Sequence, residues 1–313
     1  MSTILKHMFP GEPLLTEENL GSQEGKVFIV TGANTGLGKE LTKILYSKNA
    51  KIYVAARSEA KAKAAIEDIR QLHPSSRGEL VYLYLDLSDL TTIKKSAEYF
   101  LTNEKRLDVL WNNAGVMLPP PGSKTVQGYE LQLGVNNIGT FLFTRFLSRI
   151  LISTASTAQT NSVRVVWVSS LAAEGAPKPA IDFSNMDYKK EEGEWQKYER
   201  SKAGTILHAC EAARRSQREG DRVLHVSLHP GIFPTDLQRT MPAWRSCLVK
   251  ALGKEPKYGG YTELFAGLDS RVTENGAYVG PYGRLEKARE DLCEENLGRQ
   301  YWEWTEKQVQ QYL

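Results

Sequence analysis

Cysteine is scarce in this sequence: its 313 residues include three, Cys210, Cys247 and Cys293. They stand far apart and share no metal-ligand spacing. This excludes a disulfide framework and a zinc site and predicts free thiols in a reducing compartment. An excess of charge of either sign is also missing. The 40 Lys and Arg against 37 Asp and Glu leave a net charge of +3, well mixed along the chain and without the basic stripe that marks a nucleic-acid surface. Long hydrophobic runs are absent too. The most lipid-like stretch, Phe141 to Ile152, contains Arg145 and Arg149 and falls short of the roughly 20 apolar residues needed to span a bilayer. Lys6, His7, Pro10 and Glu12 interrupt the N-terminus, which therefore lacks the apolar core of a signal peptide. No interior stretch reads as a linker. These absences predict a cytoplasmic protein with no membrane span and no nucleic-acid partner, long enough for one large domain.

What is present is organised around Val27 to Gly38, VFIVTGANTGLG. Val27, Phe28, Ile29 and Val30 form a short apolar run suited to a strand buried on both faces. Thr31 and Gly32 turn the chain, and beyond Gly36 and Gly38 the residues Leu41, Ile44 and Leu45 recur at helical spacing. A strand, a glycine-rich turn and a helix in that order aim the helix's unpaired N–H groups and positive dipole end at the turn, which makes a pyrophosphate site. A Cβ there would hold the phosphate off the backbone and resist positive φ values. Taken alone, the stretch also fits a glycine-punctuated loop in another α/β protein.

Met1 to Glu24 is rich in turn residues and reads as a surface arm. Lys51 to Ala56 makes a second strand, and Ser58 to Leu72 an alanine-rich helix with Ser58 as its N-cap, so a parallel sheet begins here. Arg57 ends the second strand behind Ala55 and Ala56, with Lys61 one helical turn further on. A dinucleotide fold meets the adenosine ribose at this point: an acid suits NAD, whereas a cation with no carboxylate before it suits the 2′-phosphate of NADP. The competing reading of Arg57 is a solvated charge at a helix start. Glu79 to Leu85 is the third strand. Asp86 after it is either a cap or a ligand contact, with Ser88 and Asp89 as alternative caps for the next helix.

Asp108 to Trp111 is the fourth strand, followed by Asn112-Asn113-Ala114-Gly115, which by composition is an ordinary turn. A helix is expected from about Tyr129 to Ser153. Asn136 and Asn137 within it are poor helix formers whose presence needs a reason. Val163 to Val168 is the fifth strand and ends in Ser169-Ser170. Tyr198 and Lys202, four residues apart, share one helix face, a pairing common by chance. Arg222 to Leu228 is the sixth strand, Tyr258 to Leu268 a helix, and Gly276 to Val279 a short strand. A helical tail, Leu297 to Leu313, carries Trp302 and Trp304 on different faces.

The set Thr31-Gly32-x-x-x-Gly36-x-Gly38, Asp86, Asn112 to Gly115, Asn136, Ser170, Tyr198-x-x-x-Lys202 and Pro230-Gly231-x-x-x-Thr235 resembles the short-chain dehydrogenase/reductase family over about Gly25 to Gly283. It is most similar to the retinol-dehydrogenase-like branch, because the insert between Ser170 and Tyr198 is long and His229 precedes Pro230. Its texture also resembles soluble fungal reductases that tailor secondary metabolites. The resemblance implies an α/β fold with a single Rossmann-type doubly wound parallel sheet and helices on both faces. It further implies an arm at 1–24, a catalytic domain at 25–283 with a substrate lid at about 236–257, and a helical tail at 284–313.

The resemblance also implies NADP(H), held by Gly32, Asn34, Thr35, Gly36, Leu37, Gly38, Arg57, Lys61, Asp86, Leu87, Asn113, Ala114, Gly115, Tyr198, Lys202, Pro230, Gly231, Ile232 and Thr235. Within that set Asp86 would meet the adenine amino group and Thr235 the nicotinamide carboxamide. No metal is implied. Tyr198 would be the acid/base, its phenol lowered from about 10 by Lys202 and the positive nicotinamide. Ser170, with Ser169 as its rival, would bind the substrate oxygen, and Asn136 would complete a water relay; Asn137 reads as structural. His208, with no nucleophile elbow, reads as a core or interface histidine.

The function so implied is an NADPH-dependent ketone or aldehyde reductase, or alcohol dehydrogenase, acting on a medium-sized apolar small molecule as a homodimer or homotetramer. An isomerase or epimerase could use the same site. So could an NADP-sensing binding module, though a sensor has no need of Ser170, Tyr198 and Lys202 together.

Overall fold

The apolar run at Val27 becomes β1 (Val27–Thr31), buried along its whole length. It pairs in parallel with β2 (Lys51–Ala56) on one side and β4 (Val109–Asn112) on the other, the setting in which a strand loses polar alternation. The computed structural model describes residues 11–233 and 254–313. With β3 (Glu79–Tyr84), β5 (Arg164–Val168), β6 (Leu224–Leu228), β7 (Tyr278–Gly280) and β8 (Arg284–Glu286), the strands form one sheet in the order β3-β2-β1-β4-β5-β6-β7-β8. All neighbours are parallel except β8, which runs antiparallel to β7.

Helices cover both faces. On one, α1 (Gly36–Ser47), α2 (Glu59–Leu72) and α6 (Pro256–Leu268) bring Leu41, Leu45, Ile69, Leu264 and Phe265 against Phe28, Trp111 and Val166. On the other, α3 (Leu90–Asn103), α4 (Leu131–Thr157) and α5 (Glu194–Glu219) bring Phe100, Leu142, Phe143 and Ala209 against Leu110, Val165 and Trp167. Strand order reverses between β1 and β4. In a doubly wound sheet this opens a crevice outside the strands' C-terminal ends.

Four details differ from the sequence reading. The helix expected at Tyr129 to Ser153 is α4, and its second turn is not α-helical: Gly134–Gly139 is a π-type turn between Leu131–Leu133 and Thr140–Thr157. The apolar stretch is also longer than Phe141 to Ile152. By length and composition α4 could cross a membrane, but 67% of its most apolar window is buried within the fold, so its hydrophobicity is that of a core helix. Third, β8 was not expected, because Arg284–Glu286 is too short and mixed to carry a periodic signal. Finally, the expectation of free thiols fails for two of the three cysteines. Cys210 and Cys293, 83 residues apart in sequence, are joined by a disulfide that ties α5 to the 3-10 turn Glu290–Cys293. Their proximity follows from packing that no spacing reveals. Cys247 lies outside the described residues, as does the expected lid up to residue 253.

The tail helix α7 (Glu295–Val309) buries Tyr301 and Trp302 and leaves Trp304 half-buried. The segment before β1 is tied down as well: Leu14 N–H donates to the Tyr282 carbonyl, and Glu17 accepts from Lys257 and Tyr261.

Candidate active site

The glycine turn and the Asn112-Asn113-Ala114-Gly115 turn interlock at the switch point. Asn113 Nδ2 donates to the Thr31 carbonyl at 2.7 Å, and the Ala114 N–H donates to Thr31 Oγ1 at 2.9 Å. Gly32 has φ +68°, and a Cβ there would lie 3.0 Å from Ala114 Cα; one on Gly38 would lie 2.5 Å from Asn113 Nδ2. The space that glycine leaves is thus filled by the second turn. Thr35 forms the N-cap of α1 without a side-chain capping bond, so the helix's first N–H groups point at the crevice unsatisfied, as an anion site requires.

A cleft of about 1170 Å³ runs from this turn along the C-terminal edge of the sheet. Every residue expected at the site lines it except Gly38, Asn136 and Thr235. Gly38 supports the wall from behind, Asn136 backs Gly115, and Thr235 lies outside the described residues. Arg57 and Lys61 stand exposed at the rim, beside Ser58, which caps α2 as expected. The choice left open for Asp86 is settled in favour of Asp89 as the cap of α3. Asp86 instead accepts from Ser88 N–H at 2.9 Å and Ser88 Oγ at 2.6 Å, which fixes its carboxylate at the cleft wall.

At the far end α5 presents Tyr198 and Lys202, both buried. Lys202 Nζ donates to the Val168 carbonyl at 2.9 Å, where β5 ends, and stands 5.9 Å from the Tyr198 ring centroid. The two serines separate cleanly. Ser169 Oγ is buried and donates to the Lys202 carbonyl at 2.7 Å, a fold-holding bond. Ser170 lines the cleft and is the side-chain hydrogen-bond partner of the Tyr198 phenol.

In the protein alone, burial dominates the charge states at this end. Burial pushes the Tyr198 phenol up to about 12, with the Ser170 bond working the other way. Lys202 Nζ spends one of its protons on the Val168 carbonyl. Burial pushes Lys202 itself down to about 8, opposed by the charge of Glu263.

Asn136 explains its place in a helix. Its Oδ1 accepts from Val116 N–H at 2.8 Å, while Nδ2 donates to the Val116 carbonyl and to Ser201 Oγ, both at 3.0 Å. It sits in the π-type turn, a distortion common at functional sites, and ties the strand-4 loop to α5. Asn137 Nδ2 donates to the Ser201 carbonyl at 2.9 Å, a structural bond. His208 is fully buried, stacked on Tyr301 at 4.6 Å and bonded to Thr305 Oγ1 at 3.0 Å. It is a core histidine, pushed down to about 3 by burial.

Two groups of the site escaped the sequence reading. Glu263 on α6 is fully buried with no hydrogen-bond partner on either carboxylate oxygen among the described residues, and burial pushes it up to about 8. The available signal was a lone acid between Thr262 and the apolar run Leu264-Phe265-Ala266. Trp195 stands one helical turn before Tyr198 with its ring half in the cleft, and Glu199 lies beneath it.

Comparisons with known proteins bear on the family and the fold. The family model described as short chain dehydrogenase matches residues 26–246. The short-chain dehydrogenase/reductase pkfC of Emericella nidulans is 52% identical over 305 residues, covering 96% of this chain and 98% of the relative. A short-chain dehydrogenase/reductase of Phomopsis amygdali is 47% identical, covering 98% and 96%. Among solved structures, an uncharacterized protein from Mycobacterium Paratuberculosis superposes with a TM-score of 0.74 at 25% identity over 95% of this chain and 97% of that one. The NADP complex of Pseudomonas aeruginosa RhlG shares the fold with a TM-score of 0.64 at 20% identity over 82% and 94%. A chain so matched along nearly its whole length belongs to the short-chain dehydrogenase/reductase family.

Proposed function

We propose that the protein is an NADPH-dependent carbonyl reductase, with Tyr198 as the proton donor and Lys202 and Ser170 as its partners. The observation that carries this reading is the convergence of Tyr198, Ser170 and Lys202 at one end of a cleft whose other end is a glycine turn and an uncapped helix N-terminus. The residues fit the cofactor. The N–H groups at the start of α1 would hold the pyrophosphate and Arg57 with Lys61 the 2′-phosphate, since no acid precedes Arg57. Neighbours in the fold whose solved structures contain NADP fit the same choice. When bound, the reduced nicotinamide supplies the hydride.

The protein's own task is the proton. A phenol near 12 stays protonated across the neutral range, which is the state a carbonyl reduction needs. Ser170 beside it donates to the substrate oxygen as charge builds there. The Lys202 ammonium favours the phenolate left after transfer. Asn136 positions the loop at Val116 and the turn of α5 at Ser201. The fungal relatives fit a tailoring step on a secondary metabolite. The test is NADPH consumption with a panel of ketones, aldehydes and quinones, NADH run in parallel. Turnover favouring NADPH supports the reading, and consumption of neither cofactor on any compound rejects it.

Glu263 gives this reading a pH signature. Its carboxylate is the charge that favours the Lys202 ammonium, so Glu263→Gln lets Lys202 lose its proton at a lower pH. The alkaline fall in kcat/KM should therefore begin at lower pH in the variant. A profile scaled down without a shift would mean that Glu263 does not set the charge of Lys202.

A further inference from the structure

Near Ser170 and Tyr198 the cleft is lined by Val116, Met117 and Leu171, with Trp195 beside the reacting group. Trp195 is 38% exposed, and its ring centroid lies 5.8 Å from that of Tyr198 at 46°. A tryptophan left this open on a free surface would sample several rotamers. Here the ring is fixed. Its indole N–H donates to the Glu199 carboxyl group, which burial raises above its ordinary value and this bond works against. Glu199 is itself buried and seated against Gly175, where any Cβ would overlap its Oε1. The turn at Gly175 is braced in its turn: Arg289 donates to the carbonyls of Glu174 at 2.7 Å and Ala176 at 2.9 Å, and Asp291 holds the guanidinium with two bonds. Arg289, the Gly175 turn, Glu199 and Trp195 thus form a chain of supports that ends in an aromatic face beside the phenol.

A face fixed in advance costs no ordering on binding. A flat conjugated ring lying on an indole gains both dispersion and quadrupole attraction, whereas a saturated ring of similar size gains the first and little of the second. The half-buried space beside the indole penalises an added charge on the substrate, as it penalises the charged form of Glu199 itself. We propose that Trp195 is a preset stacking platform, and that the substrate is an uncharged carbonyl compound carrying a flat conjugated ring next to the reacting carbon. This rests on the reductase reading and names the substrate class of the same site.

The test is calorimetric titration of the NADP⁺-loaded protein, in which ketones bind without reacting. The probes are 2-acetonaphthone, its fully ring-saturated counterpart and a carboxylate-bearing acetonaphthone. Wild type should bind the flat neutral ketone most tightly. Trp195→Leu, which keeps apolar bulk and removes the π face, should shrink the flat-to-saturated affinity ratio by roughly twofold to tenfold, and Trp195→Phe should restore most of it. An unchanged ratio in Trp195→Leu overturns the platform, and equal binding of the carboxylate probe overturns the charge selection. Turnover of the same ketones with NADPH is read separately. Selective binding with no turnover leaves the platform standing and rejects the reductase reading, whereas turnover with an unchanged ratio rejects the platform alone.

Discussion

Replacing Tyr198 with phenylalanine is expected to lower kcat by about 10²–10⁴-fold, the range that general acid catalysis supplies, with NADPH affinity nearly unchanged. The substitution is close to isosteric at a buried position. It removes one oxygen, whose side-chain hydrogen-bond partner is Ser170, so the fold loses little. What is lost is the proton. Ser170 and Lys202 remain, yet Lys202 is bound to the Val168 carbonyl at 2.9 Å and neither replaces the phenol as proton donor. Single-turnover mixing of NADPH-loaded enzyme with a reactive ketone separates this chemical step from cofactor binding. A variant retaining a third or more of wild-type kcat would remove Tyr198 from the proton-transfer role.

Arg57→Leu should raise the KM for NADPH by roughly 10- to 100-fold, since a hydrogen bond to a charged group contributes about 1.5–3 kcal/mol. The KM for NADH should hardly move, because NADH carries no 2′-phosphate. Arg57 stands exposed at the cleft rim and supports no core contact, so loss of stability is not a competing cause. Lys61, one turn along α2, recovers part of the loss and places the effect of the single variant toward the lower end. Equal changes in both KM values would show that Arg57 is the solvated helix-start charge that the sequence also allowed.

The two competing readings of Arg57 show where sequence information ends. The strand, glycine turn and helix at Val27 to Gly38 were legible because each part has a local physical cause: apolar runs, positive φ and helical spacing. The same holds for the interior strands of the sheet, whose burial on both faces removes polar alternation. Tyr198 and Lys202 share a helix face by spacing, a pairing common by chance, and were singled out only by the ordered set of turns and residues around them that resembles the family's. The π-type turn at Asn136 was signalled only by asparagines in a helix, because its cause is a tertiary demand: one side chain must satisfy both Val116 and Ser201. Cys210 and Cys293 meet through the docking of a C-terminal turn on α5, which leaves no periodic trace. The bond from Lys202 to the Val168 carbonyl and the depth at which the phenol is buried were not legible either, since both follow from how α5 docks against the end of β5. Glu263 reaches Lys202 from a helix some 60 residues further along the chain, so only the fold reveals it.

The most direct test of the reductase assignment uses NADPH carrying deuterium at the transferable C4 position, with product analysed by mass spectrometry and Tyr198→Phe run alongside. The assignment requires the product alcohol to hold the deuterium on its new carbinol carbon plus one hydrogen from solvent, and the variant to form almost none. A product isomeric with its substrate, with the label still on the nicotinamide, would contradict net reduction and move the chemistry to isomerisation.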